Sequence, residues 1–270
     1  MSPRLAAVQL TSGADVAANL RAAAFALEQA RAQQADVAVL PENFAFMGAH
    51  ERDKLALAEA DGQGPIQDFL AQTARALKLW IVAGTVPLKG ADPQRVAPAC
   101  LVYDARGARA ARYDKIHLFD VDVPGGEAYR ESATIAAGAP RPVVIETPAG
   151  SLGLSVCYDL RFPELFRRLV AAGAEILAVP SAFTAQTGAA HWEPLLRARA
   201  IENQCYVVAP GQWGAHPNGR HTWGHSLILD PWGRVLAQQG DGSGAIVADA
   251  PCEPLRALRR GFPVLEHRRL

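Results

Sequence analysis

At 270 residues, 50% hydrophobic and 20% charged, the chain can bury a substantial core, which excludes an intrinsically disordered or fibrous protein. Its 27 Lys plus Arg balance 27 Asp plus Glu, so no net field draws it to nucleic acid or an anionic membrane, and the expected partner is a small molecule. No apolar run approaches the ~20 residues of a bilayer-spanning helix, and Met1-Ser2-Pro3-Arg4 leads into an alternating strand pattern rather than a leader-like stretch. Cys100, Cys157, Cys205 and Cys252 are far apart with no C-x-x-C pair. Neither a disulfide framework nor a zinc knuckle is expected, and a reduced cytoplasm fits.

Residues 4–10 read as a strand, and residues 15–34 as a helix with Val16, Leu20, Ala23, Leu27 and Ala30 at helical spacing. Residues 36–40 form a short apolar run stopped by Pro41, the pattern of a buried strand ending in a loop. A helix over 64–77 leads to a strand over 80–86, after which the pattern changes to hairpins. Tyr103-Asp104-Ala105-Arg106-Gly107 links residues 99–102 to a strand through Tyr113, and Thr147-Pro148-Ala149-Gly150 links 143–146 to 151–156. Helices over 163–172 and 190–204 flank strands over 175–179 and 206–209, and Asp230-Pro231-Trp232-Gly233 turns 226–229 into 234–237. No linker or composition shift divides the chain, so a single domain over residues 1–270 is expected, with helices outside and mixed sheets inside. Residues 35–44 echo residues 174–183: each is a strand stopped by Pro (Pro41, Pro180) and followed by a loop carrying Phe (Phe44, Phe183). A pseudo-symmetric pair of half-sheets could bring both loops to one pocket.

Three segments carry reactive groups. In Ser151-Leu152-Gly153-Leu154-Ser155-Val156-Cys157-Tyr158-Asp159-Leu160-Arg161-Phe162-Pro163, a strand delivers Cys157 to a turn that enters a helix. Unpaired backbone N–H groups and the helix dipole there are expected to favour thiolate and an oxyanion; the plainer reading is a cysteine that only packs. Glu42 follows a buried strand, where poor solvation is expected to raise its pKa toward that of a working base, unless it simply faces water. Lys115, in Asp114-Lys115-Ile116-His117-Leu118-Phe119-Asp120, lies in a strand-like stretch and by itself reads equally as an exposed edge-strand lysine.

Taken together, Pro41-Glu42-Asn43-Phe44, the Lys115 segment and Cys157-Tyr158-Asp159-Leu160-Arg161-Phe162-Pro163-Glu164 resemble, in order and context, the glutamate, lysine and nucleophile motifs of the nitrilase (carbon-nitrogen hydrolase) superfamily. The likeness extends through Gly188-Ala189-Ala190-His191-Trp192-Glu193, Gly224-His225-Ser226 and Asp230-Pro231-Trp232-Gly233. It implies a four-layer α-β-β-α sandwich with two mixed sheets, a homodimer or higher homo-oligomer, and no metal or organic cofactor. It also implies catalytic roles for Glu42, Lys115 and Cys157, with Glu131 as a second carboxylate near the lysine and the Tyr158 amide as an oxyanion donor. The reaction implied is amide hydrolysis through a thioester. Within the superfamily the closest likeness is to amidases of 2-oxo acid amides, those acting on deaminated glutathione and the ω-amidases. Such substrates carry carboxylates, for which Arg161 is the candidate partner, with Phe183 and Thr187 against the acyl part; a salt bridge from Arg161 to Asp159 or Glu164 is the alternative. A true nitrilase shares the same residues, and an inactive binding relative is the non-enzymatic alternative. A Cys–His hydrolase lacks a local partner for Cys157, and a zinc site from His216, His221 and His225 matches only a loose H-x4-H-x3-H spacing.

Overall fold

In a computed structural model, which describes residues 2–123 and 127–269, the first half of the chain runs β1 (Arg4–Gln9), α1 (Val16–Ala32), β2 (Val37–Val39), α2 (Asp53–Ala56), α3 (Pro65–Leu77), β3 (Trp80–Lys89), β4 (Val96–Tyr103) and β5 (Arg109–Asp114). A small hairpin, β6 (Asp120–Val123) and β7 (Glu127–Arg130), leads to β8 (Val144–Thr147), β9 (Gly150–Leu154), α4 (Pro163–Ala171), β10 (Ile176–Ala178), α5 (Ala185–Asn203) and β11 (Tyr206–Ala209). Next come a second hairpin, β12 (Trp213–Ala215) and β13 (His221–Trp223), then β14 (Leu227–Leu229), β15 (Val235–Gln238), β16 (Gly244–Asp249) and α6 (Cys252–Gly261). Residues 1, 124–126 and 270 of the expected domain lie outside the described residues.

Two six-stranded mixed sheets result, ordered β16-β1-β2-β3-β4-β5 and β15-β14-β11-β10-β9-β8. In the first, β1, β2 and β3 run parallel, flanked by antiparallel β16 on one side and β4 and β5 on the other. The second repeats this plan: β9, β10 and β11 run parallel, with antiparallel β8 on one side and β14 and β15 on the other. Central β2 therefore corresponds to central β10, the two segments whose sequences echo each other.

Side-chain alternation builds the layers. Leu5, Ala7, Val37, Val39, Val82, Cys100 and Val102 face the second sheet, in a core continuous with Leu165, Leu169, Trp192 and Leu196 of α4 and α5. The intervening residues Ala6, Val8, Ala38, Ile81, Ala83 and Leu101 face Ala23 and Leu27 of α1 and Ile66 and Leu70 of α3. The expected four-layer α-β-β-α sandwich follows.

The structure differs from the sequence reading at several elements. Helix α5 begins at Ala185, capped by the Thr184 side chain accepting from Thr187 N–H, rather than near residue 190. Gly188 argues against helix by propensity, but a Cβ there would collide with Trp223, so tertiary packing requires the glycine and overrides the local preference. Both small hairpins, β16 and α6 escape the sequence reading. The two hairpins are short and polar, and β16 owes its place to antiparallel pairing with β1.

Gly84 sits at a register irregularity in β3, where a Cβ would overlap the backbone carbonyl of Pro41. Only the absence of a side chain lets β3 approach the end of β2 so closely. Gly84→Ala is therefore expected to cost about 1–3 kcal/mol in urea unfolding, and to lower kcat because the displaced segment carries Glu42. Wild-type stability in that variant would contradict this packing.

Candidate active site

Glu42 leaves the end of β2 through Leu40 and Pro41 and is 4% exposed. Its segment is tied on both sides: Leu40 N–H donates to Val82 O at 2.9 Å, Asn43 N–H to Thr85 Oγ1 at 2.9 Å, and Gln212 Nε2 to Glu42 O at 3.0 Å. Asn43 itself has φ 58°, a left-handed conformation that asparagine tolerates better than most side chains. Gln212 belongs to the second half of the chain, so both halves fix this carboxylate.

Lys115 comes directly after edge strand β5 but is only 1% exposed, because the chain turns inward there; Lys115 N–H donates to Pro98 O and Gly138 N–H to Lys115 O. The ammonium donates to Glu42 Oε1 at 2.9 Å and to Glu131 Oε1 and Oε2 at 2.8 and 2.9 Å. Glu131, in a single 3-10 turn, also accepts from Phe119 N–H at 2.6 Å.

Cys157 follows β9 with φ 49°. This strained backbone is uncommon outside glycine and is held by Cys157 N–H donating to Pro180 O at 2.9 Å. The expected elbow is a 3-10 turn over Cys157–Arg161 ahead of α4. Asp159, fully buried, organises it: its Oδ2 accepts from Val156 N–H at 2.8 Å and Tyr113 O–H at 2.6 Å, and its Oδ1 accepts from His117 N–H at 3.2 Å and lies 2.7 Å from His117 Nδ1. This carboxylate and Tyr113 knit the lysine and cysteine segments together. Sequence reasoning assigned neither that role, although both lie within or beside the motifs. Among the described residues the Tyr158 N–H has no acceptor, which leaves it available where an oxyanion would form.

Cys157 lies against Glu42 and the Ala182 backbone, within reach of the Lys115 charge, and with Glu131 these groups line one cavity. Burial alone would push Glu42 up, but the Lys115 ammonium and hydrogen bonds from Lys115 and Cys157 hold it below its ordinary 4.5. Burial and the Glu42 carboxylate push the Cys157 thiol well above its ordinary value, opposed only in part by Lys115. Burial disfavours the ammonium, yet Glu131 and Glu42 together hold Lys115 well above 10.5. Two sequence expectations are thereby corrected. Glu42 is not raised, because a cation touches it, and the thiol is not ready-ionised, because burial and a neighbouring anion outweigh the turn dipoles. At rest the site holds a carboxylate, an ammonium and a neutral thiol.

The cluster lines an open cavity, about 680 Å³ of empty space counted together with the solvent at its mouth. Tyr158, Arg161, Phe183 and Thr187 line it. Both echo loops reach it, as the half-sheet symmetry led one to expect. Arg161 does not pair with Asp159 or Glu164: its guanidinium lies 5.4 Å from the Phe183 ring centroid and 3.3 Å from His191 Nδ1. Thr187 Oγ1 lies 2.8 Å from Thr184 Oγ1. Sequence reasoning missed Glu51, Lys54, Tyr129 and Arg220, which also line the cavity, because segments far apart in sequence contribute them. The candidate zinc histidines are otherwise engaged: His216 contacts Ser12 O at 2.9 Å and Thr222 Oγ1 at 2.7 Å, and His225 stacks on Trp223. Among the described residues no three His, Cys, Asp or Glu side chains converge as a metal site.

Comparison with known proteins bears on the same features. The carbon-nitrogen hydrolase family profile matches residues 4–260. A deaminated glutathione amidase of Synechocystis is 45% identical over 271 residues, spanning 99% of each chain. Yeast Nit3, described as a member of branch 10 of the nitrilase superfamily, superposes with a TM-score of 0.88 at 30% identity, covering 100% of this chain and 97% of its own. An amidase of Nesterenkonia sp. AN1, solved as a mutant showing Michael addition of acrylamide at its active-site cysteine, superposes with a TM-score of 0.80 at 28% identity, covering 97% of this chain and 98% of its own. The fold is that of the nitrilase superfamily, and the chain belongs to the carbon-nitrogen hydrolase family, whose members hydrolyse carbon-nitrogen bonds.

Proposed function

We propose that this enzyme cleaves the amide of a carboxylate-bearing 2-oxo acid, converting deaminated glutathione to 2-oxoglutarate and cysteinylglycine, with Cys157 as nucleophile. One observation carries the chemistry: a thiol, a carboxylate and an ammonium line one open cavity, although they come from segments far apart in sequence. The choice of amide is supported by 45% identity along 99% of a deaminated glutathione amidase.

Glu42 accepts the Cys157 proton as sulfur attacks the amide carbonyl, so proton transfer accompanies bond formation and no free thiolate need accumulate. The oxyanion of the tetrahedral adduct is met by the Lys115 ammonium and the Tyr158 N–H, both in place before the reaction. Glu42 then passes its proton to the departing nitrogen, the carbon–nitrogen bond breaks, and a thioester remains on Cys157. Water, deprotonated by Glu42, attacks the thioester, and the proton returns to sulfur as the acid leaves. Glu131 holds Lys115 by two contacts and acts as a positioning residue. Arg161 binds the 2-oxo acid carboxylate, with Phe183 and Thr187 beside the acyl chain. A homodimer in a cytoplasmic setting belongs to this reading; exposed Ile201, Trp232 and Phe262 supply apolar surface for a second copy.

Release of the product acid from deaminated glutathione, 2-oxoglutaramate and a simple aliphatic nitrile tests the substrate assignment. The first two are expected to react, the peptide-like amide with the larger kcat/KM, and the nitrile to give no acid. Preference for the nitrile would replace this reading with a true nitrilase. The charge states set the pH dependence as well. A base whose pKa is held down keeps activity until the pH falls through a value below 4.5, and raised thiol and ammonium pKa values remove any alkaline loss below their ordinary 9.0 and 10.5. The kcat/KM profile is expected to be flat from about pH 5 to pH 9; an acidic limb centred near neutrality would contradict the depressed carboxylate.

A further inference from the structure

The cavity contains more positive charge than its own carboxylates use. Lys115 is shared between Glu42 and Glu131, and Lys54 pairs with Glu51 at 2.9 Å. Arg161 and Arg220 also line the cavity, and neither forms an ion pair with a described carboxylate. Arg220 is the less satisfied of the two. It stands at the entry to β13, a strand set against the Thr184 loop through a bridge between Thr184 and Thr222. Its guanidinium lies 5.1 Å from the Tyr129 ring centroid and donates through Nη2 to the carbonyl of Ala182, the residue whose backbone touches the Cys157 sulfur. Its Nε is buried and has no hydrogen-bond partner. A buried guanidinium N–H left without an acceptor is costly, and a carboxylate is the ligand whose geometry completes it.

We propose that Arg220 is a second anion anchor, and that the cavity is built for an amide carrying a carboxylate at each end. This rests on the amidase reading given above and deepens it. Arg161 takes the carboxylate of the 2-oxo acid, and Arg220 takes the carboxylate of the leaving amine. Two guanidiniums without a carboxylate partner among the described residues match a dianionic amide better than 2-oxoglutaramate, which carries one carboxylate. Arg220 also lies within electrostatic reach of Glu42, whose carboxylate form it favours, so an anion bound there would be felt at the reacting groups.

Two forms of the 2-oxoglutaramyl dipeptide isolate the contact: the free acid, which is deaminated glutathione, and the same molecule with its C-terminal carboxylate converted to a methylamide. The measurement is the ratio of kcat/KM, acid over methylamide, followed by 2-oxoglutarate release. A ratio cancels the concentration of active enzyme, so partial misfolding of a variant does not blur it. The wild type is expected to prefer the acid by about tenfold to a hundredfold. Arg220→Gln should bring the ratio near one, and Arg220→Lys should retain part of it. Arg161→Gln should leave it high, since the carboxylate assigned to Arg161 is common to both forms. An unchanged ratio in Arg220→Gln, with both compounds still hydrolysed, overturns the anchor and leaves the amidase reading intact. A wild type that releases 2-oxoglutarate from neither compound, nor from 2-oxoglutaramate, overturns both.

Discussion

The site depends on a buried ammonium shared by two carboxylates. Lys115 is almost wholly removed from water, and its charge is tolerable there only because Glu42 and Glu131 contact it directly; breaking a buried pair of this kind costs about 3–5 kcal/mol. That arrangement sets the resting chemistry. It keeps Glu42 ionised against the pull of burial and keeps the lysine charged, while burial and the adjacent anion leave the neighbouring thiol protonated. A carboxylate, an ammonium and a neutral thiol thus occur together; in the proposed mechanism they act as base, oxyanion partner and nucleophile, and the energetic gain is reserved for the moment when negative charge develops on the substrate oxygen.

The fold supplies the convergence. Each six-stranded sheet has three parallel strands at its heart, and the central ones, β2 and β10, point their C-terminal loops at the same cavity. One loop brings Glu42; the other brings Phe183 and the Ala182 backbone. The neighbouring strand β9 ends in the left-handed turn that presents Cys157, and β5 runs into Lys115. Asp159, Tyr113 and Gln212 cross between these segments, so the relative positions of the carboxylate, ammonium and thiol are fixed by side-chain bonds as well as by the sheets.

Much of this was legible in the sequence. Glu42, Lys115 and Cys157 stand in short motifs with distinctive neighbours, and the repeated strand-Pro-loop pattern foretold two half-sheets sharing a pocket. What could not be read was set by distance in sequence. Arg220 reaches the cavity only because a short polar hairpin folds against the Thr184 loop, and nothing local announces such a placement. Helix α5 starts at Ala185 under the Thr184 cap although Gly188 disfavours helix; the glycine is there to make room for Trp223, a contact invisible to propensity. The charge states of Glu42 and Cys157 were misjudged because each pKa was read from its own segment, whereas the Lys115 ammonium decides the first and burial, with the Glu42 carboxylate beside it, decides the second.

The proposed mechanism requires the Cys157 sulfur to carry the acyl group. Rapid acid quenching during turnover of 2-oxoglutaramate, followed by mass analysis of the peptide containing residue 157, addresses this directly. The predicted result is a 2-oxoglutaryl thioester on Cys157 in the wild-type enzyme, with neither adduct nor turnover above background in a folded Cys157→Ala variant. Hydrolysis by that variant at the wild-type rate would contradict it.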